Sequence, residues 1–187
     1  MHTPRVLIAV ALAASLPTVC ALAQTGKLLL GVPFGEKLDL RQCPSNTDKA
    51  NAPCWIEKPF LYKPTGSRLG HIHLPNPSTR PEWASYAMFQ IDLDKDNRVQ
   101  ELKVTTFDSK DRIQVGESIS LRFGKPLENE LRRSDASWAS WRSSEGYVDM
   151  RCVDKCWIEF RTPTAQAARE AEMAERNRMN ASRPKAP

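Results

Sequence analysis

The spacing of the cysteines constrains the fold of this chain more than any other feature of its sequence. Cys20 lies in an apolar N-terminal segment, whereas Cys43 and Cys54, and then Cys152 and Cys156, form two pairs that are close in sequence. If Cys20 is removed with its segment, an even number of cysteines remains, which in an oxidising compartment predicts two disulfides. Four cysteines allow three connectivities, and the short loops favour Cys43 with Cys54 and Cys152 with Cys156.

Residues 1–23 have the order of a secretory signal peptide. Arg5 precedes an apolar run over residues 6–16, and Ala21-Leu22-Ala23 supplies the small residues of a cleavage site before Gln24. The run is about half of the roughly 20 residues that a membrane-spanning helix needs. We therefore expect cleavage after Ala23, no transmembrane segment afterwards, and a periplasmic or extracellular location. Lipidation at Cys20 is disfavoured, because the preceding Val19 stands where a lipoprotein signal needs a small residue.

The length after cleavage fits one domain. Removing residues 1–23 from 187 leaves 164 residues, enough for a substantial core. We expect residues 24–163 to form a single disulfide-braced domain and residues 164–187 to form a solvated helix and tail that contribute little to stability. The net charge falls from +5 to +4 with the loss of Arg5. This mild excess argues against nucleic acid as a partner and suits a protein partner or an anionic or glycan component of the envelope.

Alternating hydrophobic patterns predict two β-hairpins. The first spans residues 84–106 around the turn Lys95-Asp96-Asn97, which tolerates positive φ. The second joins residues 147–152 to residues 156–162 through Val153-Asp154-Lys155, which would point both cysteines toward the core. Shorter strands are expected at Pro59–Tyr62, His71–Leu74 and Trp138–Arg142.

Two helices are predicted after the first hairpin. Val115, Ile119 and Phe123 recur every four residues, and Gly124-Lys125-Pro126 is a typical stop, which favours a helix over residues 109–123. A strand is the competing interpretation, since Ile119, Leu121 and Phe123 also alternate. The second helix begins at Thr162-Pro163, an N-cap followed by a first-turn proline, and runs to about residue 180.

These elements together predict an α+β fold. We expect a mainly antiparallel sheet of about five to seven strands, with one packed helix and a peripheral C-terminal helix.

Two segments have some features of a metal site. Asp92, Asp94 and Asp96 occupy the first, third and fifth positions of a calcium loop, but Asn97 and Lys103 replace the glycine and the bidentate glutamate that an EF-hand requires. His71 and His73 would face the same side of a strand, yet zinc usually needs three or four protein ligands. The sequence therefore predicts a hairpin turn and ordinary histidines, with no metal and no cofactor.

Few catalytic motifs are available to this chain. It has no Gly-x-Ser-x-Gly elbow, no Gly-rich phosphate loop and no His-Glu-x-x-His motif, and oxidised cysteines cannot act as thiolates. Its 22 acidic residues leave hydrolysis by a pair of carboxylates open. The sequence therefore favours a non-catalytic protein and keeps a secreted glycan hydrolase as the alternative.

One stretch interleaves aromatic rings with cations, a pattern that suits anionic or carbohydrate partners. It comprises Trp55, Lys58, Phe60, Tyr62, Lys63 and Arg68. The competing interpretation assigns the rings to the core face of a short strand and the lysines to its wet face. We expect an exported binding protein, such as an inhibitor, an immunity-like partner or an envelope assembly accessory, with this stretch as its recognition surface.

Overall fold

A computed structural model describes residues 28–133 and 136–181, so the expected signal peptide lies outside the described residues. The fold is α+β, with a ten-stranded sheet, a separate two-stranded hairpin and two helices in this part of the chain. The strands are β1 (Leu28–Leu29), β2 (Val32–Pro33), β3 (Arg41–Gln42), β4 (Cys54–Trp55), β5 (Phe60–Tyr62), β6 (Ser67–His73), β7 (Met88–Leu93), β8 (Val99–Thr105), β9 (Glu128–Asn129), β10 (Ser137–Ser143), β11 (Gly146–Cys152) and β12 (Cys156–Arg161). The helices are α1 (Arg112–Phe123) and α2 (Pro163–Ala181).

Six long antiparallel strands form the centre of the large sheet. Their spatial order is β6-β7-β8-β12-β11-β10, so two three-stranded meanders meet along their last strands, β8 and β12. At that junction Lys103 lies opposite Glu159. Both predicted hairpins are confirmed: Asn97 has a φ of 64° in the first turn, and Cys152 lies opposite Cys156 in the second hairpin.

Four very short strands extend the sheet at its edges. β4 and β5 both pair with β6, β3 adds parallel to β4, and β9 pairs with β10. The sheet therefore has ten strands where the sequence predicts five to seven. Strands of two or three residues are too short for alternation to reveal them.

Helix α1 covers one face of the sheet. Val115, Ile119 and Phe123 are buried, and the rings of Phe123 and Phe160 lie 5.8 Å apart. The helix interpretation of this segment is thus confirmed over the strand. It begins at Arg112 rather than at residue 109, and the hydroxyl of Ser109 donates to the carbonyl of Val153 in the preceding turn.

Both predicted disulfides are present. Cys43 bonds to Cys54 across the loop before β4, and Cys152 bonds to Cys156 across the β11–β12 turn. Beside the first disulfide, Trp55 is only 3% exposed. A Cβ on Gly70 would lie 3.1 Å from the Trp55 ring, so the indole packs against the backbone of β6. The expectation that Trp55 is a surface ring is therefore wrong, because this side chain belongs to the core.

Helix α2 begins as the sequence predicts. The Thr162 hydroxyl accepts a hydrogen bond from the backbone N–H of Ala165, and no residue of α2 is buried. Within residues 28–133 and 136–181, no helix has both the length and the apolar character to cross a membrane.

Candidate binding sites

The face of the large sheet opposite α1, called here the open face, carries polar and aromatic side chains. Because successive strand residues point to opposite faces, the sheet register shows which of these side chains are neighbours. Trp138 lies opposite Arg151, Arg151 lies opposite Trp157, and Trp157 lies opposite Thr105. This row places one arginine between two tryptophans on three adjacent strands.

A groove of about 660 Å³ runs over this row. Trp138 and Trp157 are 38% and 39% exposed, and strand spacing puts their backbones about 10 Å apart. We call this feature the tryptophan groove, and it is lined by Glu128, Trp138, Ala139, Ser140, Asp149, Met150, Arg151, Val153, Trp157, Glu159 and Arg169. The ammonium of Lys155 lies 5.5 Å from the centre of the Trp157 ring, which adds a second cation beside the groove.

A buried arginine, Arg161, forms ion pairs with acids next to the groove. The side chain of Arg161 is only 4% exposed, and its guanidinium pairs with Asp149, with Glu159 at 2.6 Å and with Glu101 at 3.8 Å. Glu159 also accepts a hydrogen bond of 2.7 Å from Arg169 of α2. Asp149 and Glu159 are therefore neutralised by partners within the protein.

The side chain of Arg151 has no such partner. Across residues 28–133 and 136–181 it forms no ion pair and no side-chain hydrogen bond. The acids beside it, Asp149 and Glu159, are both engaged by Arg161. Arg151 thus places a positive charge between the two tryptophans that no described acid binds in an ion pair.

The direction of the pKa shift differs between an acid of the groove and the acids around it. Burial alone would raise the pKa of Glu159, but the hydrogen bond from Arg169 and the charges of Lys103 and Arg161 outweigh it and hold this pKa below its ordinary value. Outside the groove, burial and the charge of Glu101 raise the pKa of Asp92 to about 6. Burial also raises the pKa of Glu101, its cross-strand neighbour. The acid with a lowered pKa therefore lines the groove, and the two with raised values lie away from it.

The ring-and-cation stretch predicted from sequence is only partly at the surface. Lys58, Phe60, Tyr62 and Lys63 are exposed around β5, while Arg68 is half-buried on β6. Within the described chain β5 pairs only with β6, so its other edge is open. We call these four exposed side chains the β5 patch. Without the buried Trp55, it is a smaller surface than the sequence predicts.

A second cavity, of about 790 Å³, lies at the other end of the open face and is called here the histidine cavity. His71 and His73 line it together with Glu57, Tyr86 and Met88. The Nδ1 atom of His71 lies 2.8 Å from a carboxylate oxygen of Glu57. In the parts of the chain that the structure covers, no group of three or more His, Cys, Asp or Glu residues could hold a metal ion.

The acidic turn after β7 has a structural role. One carboxylate oxygen of Asp94 accepts hydrogen bonds of 2.9 Å from the backbone N–H groups of Asp96 and Arg98. Its other oxygen accepts a 2.9 Å bond from the amide of Gln100. Asp94 thus closes the hairpin turn, in agreement with the sequence interpretation.

Sequence reasoning missed the tryptophan groove. Trp138, Arg151 and Trp157 are distant in the chain and meet only through strand pairing. One signal was available: all three alternate with apolar residues, so they occupy the non-core positions of predicted strands. A tryptophan at such a position is a candidate surface ring.

No protein-family model matches the chain, and no curated protein or solved structure shows significant similarity to it. Its function is therefore argued from the chemistry of these sites.

Proposed function

We propose that this chain is an exported, non-catalytic binding protein that holds an anionic glycan in the tryptophan groove. The observation that carries the proposal is the position of Arg151, which forms no ion pair within the described residues, between the half-exposed Trp138 and Trp157. Export is supported by the two disulfides, which persist in oxidising compartments.

The two tryptophans favour a sugar chain as the ligand. An indole ring offers a broad, rigid apolar face with a polar N–H at its edge, which suits the C–H face of a sugar ring flanked by hydroxyl groups. A separation of about 10 Å between the two strands lets an extended chain reach both rings. Ser140 and Glu128 line the same groove and offer hydrogen-bonding groups to sugar hydroxyls.

Arg151 favours an anionic sugar over a neutral one. A guanidinium binds a carboxylate or phosphate through two parallel hydrogen bonds, a geometry that lysine does not offer. Because Arg161 and Arg169 already engage Asp149 and Glu159, these two acids of the groove do not compete for Arg151.

Calorimetric titration with two oligosaccharides of equal length, one carboxylated and one neutral, tests this proposal. We expect the carboxylated chain to bind more tightly, and Trp138→Ala or Trp157→Ala to weaken its binding about tenfold, the loss of roughly 1.4 kcal/mol. Arg151→Gln removes the preference for the charged chain. Arg142→Gln, on the same face beside Tyr147, is the matched control and leaves binding unchanged.

The β5 patch supplies the competing surface, and a protein partner is the competing ligand. Lys58→Glu and Lys63→Glu reverse exposed charges, which alters stability by under about 0.5 kcal/mol but weakens capture at a complementary interface. We expect both variants to bind the carboxylated chain like wild type. If they lose binding while Trp138→Ala and Trp157→Ala keep it, the groove is not the site.

Glycan hydrolysis is a second candidate function, favoured by the raised pKa values of the neighbouring Asp92 and Glu101. A glycosidase needs one protonated carboxylic acid and one carboxylate on either side of the scissile bond. Neither residue lines the tryptophan groove, which is why binding is the first candidate. Release of new reducing ends from the carboxylated chain, abolished by Asp92→Asn, would establish hydrolysis instead.

A further inference from the structure

We propose that His71, His73 and Met88 form a binding site for a copper(I) ion in the histidine cavity. This site is separate from the tryptophan groove and does not depend on the proposed glycan. It rests on the arrangement of three neutral donor side chains on two paired strands.

The strand register brings the three donors to one face. His71 lies opposite Gln90 and Ile72 opposite Phe89, so continuing the register by one residue brings His73 opposite Met88. Opposed residues have Cβ atoms about 4.5–5.5 Å apart, and diagonal ones about 7–8 Å apart. An imidazole or a thioether side chain is long enough to reach an ion midway across either distance. All three side chains also line the same cavity.

Glu57 prepares one of the imidazoles for metal binding. Its carboxylate lies 2.8 Å from Nδ1 of His71, and because a carboxylate accepts, this contact favours the tautomer with the N–H at Nδ1 and the lone pair at Nε2. A carboxylate bound to the far nitrogen is the usual partner of a metal-binding histidine, because it sets the tautomer and orients the ring.

The cavity also leaves the donors accessible to an ion from solvent. The side chain of His71 is 48% exposed, and Met88 is 49% exposed. Among the described residues that line the cavity, Arg80 is the one with a permanently cationic side chain. Its guanidinium donates to the carbonyls of Leu74 and Pro75 and lies over the ring of Phe89, which points to the opposite face from Met88. This positive charge is therefore engaged by backbone carbonyls and by an aromatic ring rather than by the three donors.

The chemistry of the donors selects copper(I). Structural zinc takes four ligands, and calcium and magnesium take oxygen ligands that these three residues do not supply. A thioether is a soft ligand that favours copper(I), and imidazole is compatible with it. The cysteines of the described chain are held in disulfides and offer no competing thiolate. A monovalent ion also suits a site whose three donors are neutral.

Competition with the copper(I) chelator bicinchoninate tests the site. Untagged protein with both disulfides intact is titrated without oxygen, and zinc(II) is measured in parallel. We expect one copper(I) per chain and weaker zinc(II) binding. Met88→Leu keeps the size and apolar character of the side chain but removes its sulfur, and should weaken copper(I) binding more than tenfold. His73→Ala should do the same, and Glu57→Gln should weaken binding by 10- to 100-fold.

Matched controls distinguish this site from other sulfur atoms and from the tryptophan groove. Met173→Leu changes a methionine on α2 of similar exposure and should leave copper(I) binding unchanged. Trp157→Ala should also bind copper(I) like wild type. The proposal is overturned if no stoichiometric copper(I) is held, if Met88→Leu binds as tightly as wild type, or if zinc(II) is preferred. Retained circular dichroism of each variant shows that a lost site does not reflect a lost fold.

Discussion

The Nε atom of Arg161 donates a 2.8 Å hydrogen bond to the side-chain oxygen of Gln166. This bond joins a buried residue of the sheet to the second turn of an otherwise solvated helix. One turn later, Arg169 donates to Glu159 at 2.7 Å. Helix α2 therefore has a tethered beginning, up to about Glu170, and a long solvated remainder.

Two truncations should distinguish these parts of α2. The sequence alone predicts little effect from either, since the segment is rich in alanine and charge. A hydrogen bond to a charged group contributes about 1.5–3 kcal/mol, and solvent screens the partly exposed Arg169–Glu159 pair, so we expect removal of residues 164–187 to cost about 2 kcal/mol in total. That loss corresponds to a fall in Tm of about 4–8 °C. Removal of residues 171–187 should change Tm by less than about 2 °C, measured by calorimetry. Equal effects of the two truncations would contradict the tether.

Replacing Arg161 should lower the stability of the fold, because the acids paired with it lose their shared cation. Arg161→Met leaves Glu101, Glu159 and Asp149 without their shared cation, and breaking a buried ion pair costs about 3–5 kcal/mol. We expect a fall in Tm of about 6–20 °C. Arg142→Met, an exposed arginine on β10, two strands away, is the control and should change Tm by less than about 2 °C.

A double variant measures the energetic coupling between Glu101 and Arg161. Adding Glu101→Gln to Arg161→Met removes one of the uncompensated charges. The double variant should then be more stable than the sum of the two single effects, since residues within one ion-pair network are not additive. Additive losses in denaturant unfolding would mean that Glu101 and Arg161 act independently.

The parts of the fold that follow from local sequence were the predictable ones. Alternation and turn residues predict the hairpin around Asn97, and a four-residue spacing with a glycine stop predicts α1. The disulfides follow from short loops. In each case the signal lies within a few residues of the feature, so a single sequence is enough to reveal it.

The candidate sites depend on contacts between distant segments. Trp138 and Trp157 become neighbours of Arg151 only because β10, β11 and β12 pair in one register. The burial of Trp55 likewise depends on the close approach of Gly70, whose missing side chain makes room for the indole. Nothing in the local pattern around Trp55 distinguishes a core ring from a surface ring.

Two glycines with positive φ should respond differently to alanine. Gly146 has a φ of 151°, and a Cβ there would lie 2.3 Å from the carbonyl oxygen of Arg161, a backbone atom that cannot move away. Gly124 has a φ of 82° with no atom within 4 Å of such a Cβ. We expect Gly124→Ala to cost about 1 kcal/mol through backbone strain, and Gly146→Ala to cost at least about 2 kcal/mol because overpacking adds to it. Denaturant unfolding measures both, and a smaller loss at Gly146 would contradict this explanation.

The raised pKa of Asp92 makes stability depend on pH. Its carboxyl is partly buried, and one oxygen has no hydrogen-bond partner in the described chain, so the ionised form is disfavoured in the fold. The pKa is about 6 in the folded state against an ordinary value of 3.8, so the folded protein binds the proton more tightly. This contribution to stability is therefore complete below about pH 4 and is lost as the pH rises through about 6.

Asp92→Asn should remove that dependence. A rise in pKa of this size corresponds to about 3 kcal/mol, which we reduce to about 1 kcal/mol because water screens the partly exposed carboxyl. The free energy of unfolding of Asp92→Asn minus that of wild type should therefore increase by about 1 kcal/mol between about pH 4 and pH 7. Urea unfolding at several pH values measures this difference, and Asp154→Asn provides a control for the loss of an exposed charge. A difference that stays constant, or that decreases with pH, would show that the fold does not disfavour the ionised form of Asp92.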